Sequence, residues 1–153
     1  MIQPFDNLDD HEVELMFKAP ILVCILIAGA DGTIDKSEIQ EAITIARKET
    51  KSKSLITQYY QELSQDFEDK LKVLIQSYPF QPAQRTEVIT AELASLNKIL
   101  PKLDRSFAKQ FYDSLRNVAR RIASSSGGLL GMNAVGSEEA KFIQLSMISD
   151  PAS

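Results

Sequence analysis

The sequence has no tryptophan, a single cysteine (Cys24) and a single histidine (His11). One cysteine cannot close an internal disulfide, so a secreted fold stapled by disulfides is excluded. One cysteine and one histidine also leave zinc short of its usual ligands, and they indicate no Cys/His nucleophile pair. Six glycines and six prolines in 153 residues leave no room for a collagenous or low-complexity body. Long apolar runs are lacking as well. The longest, residues 19–30 (APILVCILIAGA), stops at Asp31, whereas a membrane-spanning helix needs roughly 20 apolar residues. Asp6, Asp9, Asp10, Glu12 and Glu14 stand where a signal peptide would carry basic residues. The expectation is a cytoplasmic protein with no membrane partner.

What is present is helical periodicity. Strand-like alternation is nearly absent, and apolar spacings of three and four recur along the chain. These spacings predict an all-α fold, a compact bundle of six to seven helices in one domain spanning residues 1–153, a length sufficient for its own core. Asp9 followed three residues later by Glu12 reads as a capping box opening the first helix. Pro20 lies inside that segment, which is either one kinked helix or two short ones. The apolar run that follows is apolar all round, hence buried all round and central to the core. Cys24 within it reads as a small buried hydrophobe.

Further on, Ile39, Ala42, Ile43 and Ala46 mark a second helix. Tyr59, Leu63, Phe67, Leu71, Leu74 and Tyr78 mark a long third one that stops before Pro79. A connector from Pro79 to Pro82 leads to a helix carrying Ile89, Leu93, Leu96 and Leu100, ended by Pro101. Leu103, Phe107, Phe111, Leu115, Val118 and Ile122 mark another long helix. A small-residue loop, residues 124–136, precedes a last helix capped by Ser137 and carrying Ala140, Ile143 and Met147. Its glycines precede a hydroxyl as in a phosphate loop, but the lysine is missing and no strand leads in, so phosphate binding is disfavoured. Ser-Glu pairs at Ser37-Glu38 and Ser137-Glu138 each follow a small-residue loop and an apolar helix, which suggests two pseudo-symmetric helix-loop-helix halves.

Charge placement says more than the net charge of −4. Residues 1–50 carry −6, residues 51–125 carry +4 and the remainder −2. On the helix after Pro101, Arg105, Lys109, Arg116 and Arg120 fall within about 60° of one another at 100° per residue. This stripe could meet an acidic protein, an anion or nucleic acid; read plainly, it is the solvated face of an amphipathic helix, diluted by Asp113. The turn at residues 31–38 (DGTIDKSE) gathers Asp31, Asp35 and Glu38, oxygen donors suited to a divalent cation such as calcium or magnesium. It is not an EF-hand, because Ala42 stands where the twelfth-position glutamate belongs. The same residues also serve as turn formers and helix caps. His11, among five carboxylates, reads as a solvated residue in a helix's first turn.

Residues 17–46, FKAPILVCILIAGADGTIDKSEIQEAITIA, resemble the TerB-like tellurite-resistance family, in which an apolar helix runs into an Ala-Asp-Gly turn and then a capped helix. Chain length, helix count and the second Ser-Glu unit are also similar to that family. The resemblance implies an all-helical domain without catalytic activity, associated with tellurite and other stress resistance, and an acidic surface for a metal or partner. Carried onto this chain, that surface comprises Asp31, Asp35, Glu38 and, from the second half, Glu138. Here Val135 stands where the first half has Asp35, and Ser126-Gly127-Gly128 offers no acid.

Three functions are therefore expected in turn. The first is a non-enzymatic stress-response module that binds another protein or a second copy of itself, with a divalent cation at the Asp31 turn as its candidate cofactor. The second is anion or nucleic-acid binding through the Arg105 to Arg120 stripe. The third is a metal-dependent hydrolase using the Asp31, Asp35 and Glu38 carboxylates.

Overall fold

The computed structural model describes residues 3–28, 44, 55–125 and 143–151. Among them every regular element is helical. A 3-10 turn at Gln3–Phe5 precedes α1 (Asp10–Ala28), followed by α2 (Leu55–Gln65), α3 (Phe67–Ser77), α4 (Pro82–Ala94), the short α5 (Leu96–Ile99), a 3-10 turn at Leu100–Lys102, and α6 (Arg105–Ser125). Among the described residues five helices thus have eleven residues or more, against the six to seven expected of the whole chain. The expected second helix, the small-residue loop beyond Ser125, the Ser137 helix start and the pseudo-symmetry built on them lie outside the described residues.

The helix starts follow local chemistry. The Asp9 carboxylate accepts from the Glu12 amide at 2.8 Å, and the Glu12 carboxylate accepts from the Asp9 amide at 3.0 Å. This reciprocal pair satisfies two donors that a helix N-terminus would otherwise leave orphaned. The Asp104 carboxylate does the same for α6, accepting from the Phe107 amide at 3.1 Å. Pro82 opens α4, where its missing N–H costs nothing.

Pro20 neither breaks nor splits α1, which is continuous through it. Proline cannot donate to the carbonyl four residues back, so the Met16 carbonyl loses its helical partner. The Tyr59 hydroxyl, fully buried on α2, donates to that same Met16 carbonyl. A defect in one helix is closed by a side chain of another, 43 residues away.

Tyr59 is also the hub of an aromatic cluster. Its ring stacks on Phe17 at 5.2 Å and meets Tyr60, Phe111, Phe5 and Phe107 edge-on at 5.0 to 6.4 Å. Tyr60 donates to the Ser114 hydroxyl at 2.7 Å, and Ser114 donates in turn to the Phe111 carbonyl at 2.7 Å. Both buried phenols therefore have partners, as buried polar groups require.

α1 packs most extensively on α6 and then on α4 and α3. From Ile21 to Ile25 it shows no exposed surface, as expected of a helix apolar all round. Cys24 is buried there and its thiol is pushed far up by desolvation, so it is no ready thiolate. Among the described residues no helix is long and apolar enough to cross a membrane.

The helix expected to carry Ile89, Leu93, Leu96 and Leu100 and to end at Pro101 is divided: α4 ends at Ala94, Leu96 lies in α5, and Leu100 and Pro101 lie in the following 3-10 turn. Two further sequence expectations need correction. The long helix from Tyr59 to Tyr78 is two helices, interrupted at Asp66, whose backbone leaves the helical region at φ −127° and ψ 24°. Leu63, Phe67 and Leu71 keep a spacing of four across the break, so periodicity conceals it. Glu68 and Asp69 in the first turn of α3 suit the positive end of a new helix dipole. Second, the last helix does not reach Met147. Residues 144–147 form a turn, and Leu145 is buried with a left-handed backbone at φ 54°. Asn97 pins this segment from α5, donating to the Met147 carbonyl at 2.9 Å and accepting from the Ser149 amide at 2.8 Å.

Candidate functional site

The expected metal and partner acids Asp31, Asp35, Glu38 and Glu138 lie outside the described residues. Among the described residues, no group of three or more His, Cys, Asp or Glu side chains is placed to hold a metal ion. His11 sits exposed in the first turn of α1, as its sequence context predicts.

The basic stripe on α6 is only partly available. Lys109 lies 3.1 Å from Asp113 and 3.1 Å from Asp150, and these two carboxylates hold its ammonium above the usual lysine range. Its amine is also 5.5 Å from the Tyr112 ring centroid, and the Arg116 guanidinium lies 5.6 Å from the same ring. Of the four cations, Arg105 and Arg120 are exposed. The apolar stripe of the helix, Phe107, Phe111, Leu115, Val118 and Ile122, is buried as expected.

Two adjoining clefts open elsewhere, along the N-terminal half of α1. The larger, about 580 Å³, lies between α1, α3 and α4, with Leu74, Tyr78 and Val88 among its apolar lining and Glu14, Lys18 and Asp69 among its charges. The smaller, about 410 Å³, is lined by Asp9, His11, Glu12 and Lys98 among others. Glu14, Lys18 and Glu92 form a wall common to both. Lys18 pairs with Glu92 at 3.3 Å and stands 6.0 Å from the Tyr78 ring centroid. Glu12 pairs with Lys102 at 2.5 Å; this contact, and then the Asp9 amide, hold its carboxyl below the usual range. Lys70 pairs more loosely with Asp66, at 3.7 Å, one turn before it.

The Tyr78 hydroxyl, at the wall of the larger cleft, is buried and makes no well-formed hydrogen bond among the described residues, although the Glu92 carboxylate interacts with it at longer reach. Burial, followed by the nearby Glu92 and Glu14 carboxylates, raises its pKa well above the usual phenol value. Part of the exposed lining is apolar. Val73 is 60% exposed, Val88 39%, and Phe80, next to the lining residue Pro79, is 93% exposed.

Sequence reasoning placed Glu14 in an acidic first helix and Tyr78 on a helix face, and it did not bring them together. The available signal was modest: Phe80 sits in a two-proline connector, where a helix face cannot bury it. The larger cleft offers an apolar strip, Val73, Leu74 and Val88, with the acids Glu14 and Asp69 beside it. No protein-family model, curated protein or solved structure matches the chain.

Proposed function

We propose that this chain is a non-enzymatic, TerB-like interaction module of the cytoplasm, acting in the response to tellurite or a related stress. The observation that carries the interaction part is the exposure of Val73 and Val88 in the lining of one cleft, with the exposed Phe80 next in the chain to its lining residue Pro79, because clustered exposed apolar side chains mark surfaces kept for a partner. The buried, desolvated Cys24 offers no nucleophile, which favours binding over covalent chemistry. The rival stripe on α6 has Lys109 engaged by two carboxylates and Arg116 laid over Tyr112, which weakens it as an anion platform.

A photo-crosslinking residue at position 80, introduced in growing cells, tests this reading. A discrete protein adduct from position 80, and none from the exposed position 58 on α2, is the expected result. Absence of adducts from positions 80, 105 and 120 alike overturns it. For the stress part, gene deletion is expected to lower tellurite tolerance, and unchanged tolerance removes it. For the cation proposed at Asp31, Asp35 and Glu38, calcium or magnesium titration should shift amide resonances clustered at that turn by millimolar metal; without such shifts the cation is withdrawn.

A further inference from the structure

Building on the interaction-module reading, we propose that the cleft between α1, α3 and α4 docks a basic amphipathic helix of a partner protein. Isolated exposed valines are ordinary. Here the exposed Val73 and Val88 line one cleft together with Leu74 and Tyr78, giving a floor and lip for large apolar side chains, and the almost wholly exposed Phe80 follows the lining residue Pro79 in the chain. A volume of about 580 Å³ accepts several such side chains and not a folded domain.

Charge selects the sign of the partner. The cleft's cations are already engaged, Lys18 by Glu92 at 3.3 Å and Lys70 by Asp66 at 3.7 Å. Glu14 on α1 and Asp69 on α3 are exposed and make no ion pair among the described residues. They face the cleft from two different helices, so unpaired negative charge flanks the apolar strip. In the adjoining cleft Asp9 and His11 stand beside Lys98, which makes no ion pair among the described residues. An apolar stripe bordered by Lys or Arg complements this surface, whereas a nucleic acid or acidic segment would meet repulsion.

Secondary structure selects the form. No sheet edge exists among the described residues for an extended peptide to join, and an apolar groove between helices suits the helix-in-groove mode of recognition. A second copy of this chain is a poor occupant through its basic helix α6, whose apolar side chains are buried in its own core.

The test titrates the full ¹⁵N-labelled chain with a synthetic Leu/Ala/Lys peptide bearing leucines at helical spacing, and with the same peptide carrying Glu for every Lys. The basic peptide is expected to shift the amides of Val73, Tyr78, Phe80 and Val88 and to bind about tenfold more tightly than its acidic counterpart. The preference should shrink as salt rises. Glu14→Lys with Asp69→Lys should abolish the preference, and Val73→Ser with Phe80→Ser should abolish binding; all four side chains are exposed, and unchanged circular dichroism confirms the variants are folded. Equal or tighter binding of the acidic peptide overturns the proposal, as does a dimer that dissociates on Val73→Ser with Phe80→Ser, which assigns the patch to a second copy. Shifts confined to α6 with the acidic peptide defeat the cleft and leave the interaction-module reading standing. Silence toward both peptides defeats the docking of a basic helix and leaves the interaction-module reading to the crosslinking test.

Discussion

Tyr59 and Tyr78 are both buried, and their surroundings could hardly differ more. Around Tyr59 the hydroxyl has a carbonyl waiting for it, the ring touches five other aromatics, and α1, α2 and α6 are locked together. Around Tyr78 the hydroxyl makes no well-formed hydrogen bond among the described residues, the nearby cations are engaged by carboxylates, and apolar side chains stand in solvent. The first region has been satisfied by folding alone. The second keeps unsatisfied groups at a surface, the usual condition of a place reserved for something else.

The largest expected effect lies in the satisfied region. Tyr59→Phe leaves the Met16 carbonyl buried without a donor and should destabilise the fold by about 1–3 kcal/mol in denaturant melts. In a Pro20→Ala background the new amide can donate to Met16, so the penalty of Tyr59→Phe should shrink, with a coupling of roughly 1 kcal/mol. An undiminished penalty would mean that Tyr59 acts through packing and not through that carbonyl.

Next comes the acid limb of stability. Glu12 is held below its ordinary pKa by Lys102 and the Asp9 amide. Its contribution is therefore complete above the unfolded value, about 4.3, and is lost as pH falls through the lower folded value. Glu12→Gln should flatten the stability profile below about pH 5, measured by thermal melts across pH, and an unchanged acid limb would place the dependence elsewhere.

In the unsatisfied region the signs reverse. Tyr78→Phe removes a buried donor that has no well-formed hydrogen bond, with only the Glu92 carboxylate interacting at longer reach, and should leave stability unchanged or raise it by about 1 kcal/mol. A loss of that size would reveal a partner for the hydroxyl. The smallest effect belongs to Phe80→Ser, expected within about 0.5 kcal/mol of the parent, since that ring is 93% exposed.

The same division explains what could be read from the sequence. The Asp9/Glu12 cap, the buried run around Cys24, the connector at Pro79 and the apolar stripe of α6 are local patterns, and each stands in the structure as read. The fate of Pro20 was not legible, because it depends on a hydroxyl brought in by tertiary packing. The break at Asp66 was masked by apolar residues that hold their spacing across it; the acids of the first turn after it were the available sign. The basic stripe was read correctly as a row on one face of α6, but two of its members are engaged by Asp113, Asp150 and Tyr112, and Asp150 lies far along the chain. The cleft draws its walls from α1, α3, α4 and a connector, so no single window of sequence contains it.

The pairing of α1 with α6 carries a consequence for how the molecule comes together. Lys102 and Glu12, just outside α6 and in the first turn of α1, meet across 90 residues of chain, and α6 is the principal packing partner of α1. Helical proteins with mainly local contacts collapse quickly, whereas long-range closure must first overcome the entropy of a large loop. During synthesis the apolar half of α1 therefore emerges long before the helix that covers it. Until α6 arrives, that stretch is the part of the nascent chain most in need of shelter.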